Sequence, residues 1–273
     1  MSVATVVVTE PLLEASGLRK AFGEHVAVDD VTFAVGTGDS LAIVGESGSG
    51  KTTIARMIVG LERLTAGQIT FAGADRSQPA KSGDQRRRRA REVQLVFQDP
   101  YTSLDPRQTV ERCLDEALRL YVGGTAAARR PRLEELASLV GLGDRQLRAL
   151  PRTLSGGERQ RVVIARVLAA EPRLVILDEA VAALDVSIQA QVLNLLADIR
   201  EATGVSYILI SHDLAVVRQL TEHAIVMQHG RVVERGTTAQ VLDAPQEPYT
   251  RLLRDSVPGP GWKPTRRGVS AWA

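Results

Sequence analysis

The chain reads as an α/β fold, a mainly parallel sheet with crossover helices arranged around a phosphate-binding loop, and three observations predict it. The apolar run Leu41-Ala42-Ile43-Val44 leads into Gly45-Glu46-Ser47-Gly48-Ser49-Gly50-Lys51-Thr52-Thr53 and then into the helix-like Ile54 to Val59. The strand-like runs Leu174 to Leu177 and Val205 to Ile210 are separated by the helix-like stretch Ser187 to Ala202. The first of those runs ends in Asp178-Glu179, at the C-terminal strand edge where parallel α/β sheets hold their ligands.

The loop comes first because its spacing carries a mechanism. In G-x-x-x-x-G-K-T the glycines adopt backbone angles closed to other residues, so consecutive N–H groups curl around a phosphate at the positive end of a helix. The expected ligand is a polyphosphate held by Gly45 to Thr53, with Lys51 reaching the terminal phosphates as a point charge. The Thr52 hydroxyl is the expected ligand of a bridging Mg²⁺, which makes the core that of a P-loop NTPase. Asp178 is the expected second contact to that metal, through water, and Glu179 the group that orients or deprotonates the attacking water.

Around this core, Val26 to Val35, Gln68 to Phe71 and Glu92 to Phe97 read as further strands, with a polar stretch from Ala74 to Gln85 between the last two. Arg86-Arg87-Arg88-Arg89 reads as a solvated loop before the next strand. From Thr109 to Leu150 the pattern turns to helical periodicity with Gly and Pro punctuation, an inserted helical subdomain. The segment Val257 to Ala273 has three prolines and two tryptophans without periodicity and reads as a mobile tail or a partner-binding strap. The organisation expected is one domain over about 12–254: residues 1–98 for the first part of the core, 99–155 for the helical insert, 156–256 for the rest of the core, and a tail at 257–273.

Composition narrows the function classes. The 273 residues are 44% hydrophobic, enough for a sizeable core. With 34 Lys+Arg against 32 Asp+Glu, a formal charge of +2 speaks against nucleic-acid binding through bulk electrostatics. Cys113 is the only cysteine and reads as a small helix-face hydrophobe, so thiolate zinc and iron–sulfur centres are excluded. Met1 to Glu10 lacks the basic flank and long apolar core of a secretory signal. No window approaches the roughly 18–20 apolar residues of a spanning helix, so a membrane role is expected to come through a partner.

A second anion-binding surface follows from Ser155-Gly156-Gly157-Glu158-Arg159-Gln160 at the start of the helix-like Arg161 to Ala170. With Leu154 in front, this string resembles, letter for letter, the signature of the nucleotide-binding subunit of ATP-binding cassette (ABC) transporters. The resemblance covers roughly Leu12 to Leu253, with independent motifs in family order and at family spacing. It implies a RecA-like core with an N-terminal antiparallel β-subdomain and an inserted α-helical subdomain, and ATP and Mg²⁺ as ligands. It implies that Phe22 stacks on adenine, that Gln98 touches metal and water, and that His212 is the switch histidine holding the γ-phosphate, Glu179 and the water. Asp185 is kept as well, whereas Ala180 and Ala182 stand where the family commonly has proline and serine. By that departure a hydrogen bond across the dimer is lost and the turn after Glu179 loosened. His25, His223 and His229 match nothing in the family and read as structural or exposed.

The implied arrangement is two ATPase subunits, identical or similar, sandwiching two ATP molecules between the loop of one chain and the Ser155 loop of the other. Transmembrane permease subunits are the implied partners, an extracytoplasmic solute-binding protein an indirect one, and the cytoplasmic face of the membrane the implied location. Phe97 to Arg107, Leu184 to Gln191 and the ending Pro248-Tyr249-Thr250 with Leu252-Leu253 look like the dipeptide, oligopeptide and nickel importer branch. The competing readings are an ABC-type ATPase working outside transport, as an accessory of a soluble enzyme complex or in DNA handling, and a P-loop kinase or GTPase. The latter leaves Ser155 to Gln160 and His212 unexplained.

Overall fold

The computed structural model describes residues 11–97 and 103–256. Two sheets are stacked. The first is an antiparallel layer of β1 (Pro11–Phe22), β2 (His25–Gly36), β4 (Ala66–Phe71) and β5 (Ala74–Asp75), in the order β2-β1-β4-β5. The second holds β3 (Ser40–Val44), β6 (Val93–Val96), β7 (Leu174–Asp178), β8 (Ser206–Ser211), β9 (His223–Gln228) and β10 (Arg231–Thr237), in the order β10-β9-β3-β8-β7-β6. Only β10 runs antiparallel in this sheet, at its edge.

Side-chain alternation explains why the central strands are apolar throughout. Leu41, Ile43, Leu174, Ile176, Ile208 and Ile210 enter the core beneath the antiparallel layer, together with α1 (Lys51–Ile58). Their neighbours Ala42, Val44, Val175, Leu177, Tyr207 and Leu209 face a second core on the opposite side of the sheet. That second core is closed by α6 (Gly156–Leu168), α7 (Val186–Thr203), α8 (Leu214–Leu220) and α9 (Thr238–Asp243), once the insert between β6 and α6 has been traversed. The insert is helical, as its periodicity predicts: α3 (Val110–Tyr121), α4 (Ala126–Leu139) and α5 (Asp144–Arg148). Leu114, Leu118 and Leu136 are fully buried there, and Cys113 lies in the same core as a small hydrophobe. Arg129 is held inside the insert by both carboxylate oxygens of Asp115, each at 2.8 Å.

One sequence expectation needs correction. The arginine run is not a loop, since Gly83–Glu92 forms helix α2. No residue of α2 is buried, so an apolar period that would announce it is missing. Other devices hold it. Ser82 Oγ caps Gln85 N, Asp84 sits in the first turn, Arg89 and Arg91 sit in the last, and Arg91 Nε donates to the Ala170 carbonyl at 3.2 Å. The long strand β1 carries no clean signal in the sequence. Its alternation is broken by register shifts on both neighbours, including one between Ala15 and Leu18.

Among the described residues no helix is long and apolar enough to cross a membrane. A final short helix, α10 (Pro248–Asp255), packs Tyr249 and Leu253 against the second core.

Leu136→Ala empties a fully buried position in the insert and should destabilise the protein by about 2–5 kcal/mol in denaturant unfolding.

Candidate nucleotide-binding and hydrolytic site

The phosphate loop joins β3 to α1, and its glycines are required by contact as well as by conformation. A Cβ placed on Gly45 (φ 153°) would come within 2.3 Å of the Met227 carbonyl oxygen, and one on Gly50 (φ 102°) within 2.3 Å of the Ala27 carbonyl oxygen. Any other side chain at either place would push the loop off β9 or β2. Ser47 and Gly48 open onto a cavity of about 460 Å³, which Lys51, Thr52 and Thr53 line on the helix side. Phe22 and His25 stand at the same cavity from the antiparallel layer, and Asp178 and Glu179 from β7.

Lys51 is buried, and desolvation lowers its pKa against the raising pull of Glu179, Asp178 and Glu46. Its ammonium folds back onto the loop, donating to the Gly45 and Glu46 carbonyls at 2.8 and 2.7 Å. Thr52 Oγ1 donates to Asp178 Oδ1 at 3.1 Å, joining the start of α1 to the end of β7. Burial raises the Asp178 pKa, and the Thr52 hydrogen bond opposes it. A hydroxyl and a buried carboxylate side by side, next to a buried lysine, are the hard oxygen donors and positive charge that fit a divalent cation on a polyphosphate.

Glu179 follows Asp178 in an unusual backbone state, φ 50°, in the left-handed region that a residue with a Cβ adopts only when its surroundings enforce it. Its N–H is tied to the Ile210 carbonyl at 2.9 Å, which extends the β7–β8 pairing by one residue. Its carboxylate then meets His212 Nδ1 at 3.2 Å, His212 lying just beyond β8. The turn that follows has alanines at 180 and 182 and is closed by Ala182 N to Glu179 O and Leu184 N to Val181 O, at 3.1 and 3.2 Å. Ala180 is buried in that turn while Ala182 and Asp185 are exposed. Asp185 Oδ1 accepts from Ile188 N at 3.0 Å and caps α7.

The Ser155 string forms the N-terminus of α6. Ser155 Oγ accepts from Glu158 N at 3.2 Å and Glu158 Oε2 accepts from Ser155 N at 2.8 Å, a reciprocal capping box. Glu158 also accepts from Gln146 and pairs with Arg145, and these bonds hold its carboxyl down at about 2. Gly157 must be small because α7 lies against it, whereas the turn before α7 reaches Gly156 at ordinary contact distance. A Cβ on Gly157 would meet Ile188 Cγ2 at 2.4 Å, and one on Gly156 would meet Leu184 at 3.4 Å. The string and the Asp185 turn are therefore mechanically joined.

The structure thus gathers Phe22, Ser47, Gly48, Gly50, Lys51, Thr52, Thr53, Asp178 and Glu179 around one cavity, with His212 bonded to Glu179. Gly45, Glu46 and Ser49 complete the loop behind them. Ser155, Gly156, Gly157, Glu158 and Asp185 form a separate exposed or half-exposed rim, apart from the buried Gly157. Gln98 lies outside the described residues. Phe22 is 47% exposed, and the Lys20 ammonium sits 4.6 Å from its ring centroid. Lys20 itself is fixed by Glu62 at 2.9 Å and by the Arg63 carbonyl at 3.0 Å, contacts that sequence spacing does not reveal.

Two outcomes follow from this geometry. Gly157→Ala should lower the melting temperature by forcing Ile188 aside, and Ile188→Ala in the same chain should recover part of the loss. Glu158 has a folded pKa below its ordinary 4.5, so its stabilising contribution is full above 4.5 and drains away as pH falls toward 2. Glu158→Gln should flatten that part of a pH–melting profile while leaving the neutral region nearly unchanged.

Comparison with known proteins places the chain. The ABC transporter family model matches residues 28–182, more than half of the chain. The oligopeptide transport ATP-binding protein OppF of Lactococcus lactis subsp. lactis (strain IL1403) is 42% identical over 85% of this chain and 72% of its own. A Brucella abortus (strain 2308) protein, provisionally named a peptide import ATP-binding protein, is 46% identical over 93% of this chain and 77% of its own. The dimeric ATP-binding cassette MJ0796, solved in a post-hydrolysis state with ADP and Pi, superposes with TM-score 0.73 at 27% identity, covering 83% of this chain and 98% of that one. The fold is shared with CbiO1 of Clostridium perfringens, TM-score 0.78 at 24% identity, covering 86% of this chain and 92% of that one. The chain belongs to the ABC transporter family, as an ATP-binding subunit with the P-loop ATPase fold.

Proposed function

We propose that this chain hydrolyses ATP to drive import of peptides or a related small solute through membrane permease subunits. The convergence of Lys51, the Thr52–Asp178 pair and the Glu179–His212 pair on one cavity carries the hydrolytic half of the proposal. The names borne by the Lactococcus and Brucella relatives support the cargo class.

In this reading, the N–H groups of the loop and the start of α1 take the phosphates of ATP, and Phe22 stacks on the adenine. Lys51 leaves the carbonyls of Gly45 and Glu46 for the terminal phosphates, exchanging two neutral acceptors for anionic ones. Thr52 and Asp178, with Gln98 as a further contact, would hold a Mg²⁺, which would supply neutralisation of the charge developing on the phosphoryl oxygens. Glu179 takes a proton from the water that attacks the terminal phosphorus, the bond to the ADP oxygen breaks, and His212 holds the Glu179 carboxylate in register. The left-handed backbone at Glu179 aims the carboxylate at the cavity, while its neighbour Asp178 stays within the strand pairing.

The rim of Ser155, Gly156, Gly157 and Asp185 supports the dimeric half of the proposal. An exposed serine and a half-exposed glycine at a helix N-terminus, where the capping box takes the Ser155 and Glu158 N–H groups and leaves the Ser155 hydroxyl to donate, form a surface suited to the γ-phosphate of ATP on another ATPase subunit, a second copy or a similar chain. ATP then joins the two subunits, hydrolysis separates them, and the permeases follow. The organisation proposed for this cycle is the one read from the sequence, with the insert at 99–155 contacting the permeases at the cytoplasmic face.

Lys51→Ala should abolish ATP binding in a titration with a fluorescent ATP analogue. Glu179→Gln should bind ATP as the wild type does while turnover falls by about a hundredfold or more, the scale of a lost general base. Retained turnover in Glu179→Gln would remove Glu179 from that role.

A further inference from the structure

We infer that Tyr249, on the C-terminal helix α10, is a positioning residue of the nucleotide loop, through a hydrogen bond from Glu46 N–H to its phenol oxygen at 3.1 Å. This inference rests on the reading of Gly45 to Thr53 as the ATP loop.

The bond matters because of which peptide it holds. The unit joining Gly45 to Glu46 offers one carbonyl and one N–H, pointing in opposite directions. Its carbonyl accepts from Lys51 Nζ at 2.8 Å, and its N–H donates to Tyr249. The first peptide of the loop is therefore pinned at both ends, from within the loop and from 203 residues along the chain. When Lys51 turns to a phosphate, the carbonyl loses that partner. The Tyr249 hydroxyl remains as the tie on this peptide.

Helix α10 is built to hold its hydroxyl still. Gln246 N and Glu247 N donate to the two Glu234 carboxylate oxygens at 2.7 and 3.2 Å, fixing the start of the helix to β10. The Arg251 guanidinium donates to the Pro245 and Gln246 carbonyls, each at 3.0 Å, and Thr250 is 3% exposed. Tyr249 itself packs on the core. Burial raises its pKa, the direction that favours the neutral phenol.

Glycines at both ends of the loop make it costly to order, and a side chain that orders one peptide in advance lowers the cost of binding. Tyr249→Phe removes the oxygen alone and keeps the packing. The expected result is ATP affinity weakened about three- to tenfold, the range of one neutral hydrogen bond, with KM raised and kcat little changed.

The test titrates wild type, Tyr249→Phe and Leu252→Ala with a fluorescent ATP analogue and Mg²⁺, and records nucleotide-free melting temperatures alongside. Leu252 is exposed on the same helix and its removal should leave affinity unchanged. Weaker binding by Tyr249→Phe at an unchanged melting temperature supports the assignment. Unchanged affinity, or affinity that falls only in step with melting temperature, overturns it. Absence of binding by the wild type would instead remove the nucleotide reading of the loop, and this inference with it.

Discussion

Two close approaches of backbone to backbone organise this molecule. Gly45 lies against the Met227 carbonyl at the end of β9, and Gly50 lies against the Ala27 carbonyl in β2, so the phosphate loop is wedged between the two sheets. The same wedge is reinforced outside the loop. Asp29 N donates to the Gly230 carbonyl at 2.8 Å, and Arg231 Nε pairs with Asp29 at 2.9 Å. The antiparallel layer is thus a buttress for the loop as well as a platform carrying Phe22. Without both glycines the loop would lose either its curvature or its seat.

The electrostatics follow from that seating. Lys51 and Asp178 are both buried, and each is shifted by desolvation in the direction that disfavours its charge. Each is held against that cost by hydrogen bonds, Lys51 by the loop carbonyls and Asp178 by Thr52. The strained backbone at Glu179 is of the same kind, an outlier held by the Ile210 hydrogen bond and the buried Ala180 and Val181 behind it. Strain and desolvation coincide where the proposed chemistry takes place.

Much of this was legible in the sequence because the loop and the carboxylate pair each lie at the end of an apolar run, and the Ser155 string opens a helix with its own capping pattern. The central strands β3, β7 and β8 were readable for that reason, as was the helical insert. Helix α2 was not, because it buries no side chain and its arginines carry no period. Strand β1 was hidden by its bulges. The contacts of Lys20 with Glu62, of Gly157 with Ile188 and of Tyr249 with Glu46 join residues 42, 31 and 203 positions apart and belong to tertiary packing. For Tyr249 the string Pro248-Tyr249-Thr250 was visible as a likeness to one importer branch, yet nothing local to it pointed at the loop. The two alanines after Glu179 gave an expectation of a looser turn, and the turn is closed by backbone hydrogen bonds that need no proline.

In the proposed cycle one chain carries half of each hydrolytic site, with the Ser155 rim completing the loop of another subunit. The most direct test is ATP turnover per chain measured across a dilution series, with mass followed by light scattering in the same samples, for the chain alone and with its partner ATPase. Turnover per chain should fall as the dimeric species disappears. Full turnover by a demonstrated monomer would contradict it.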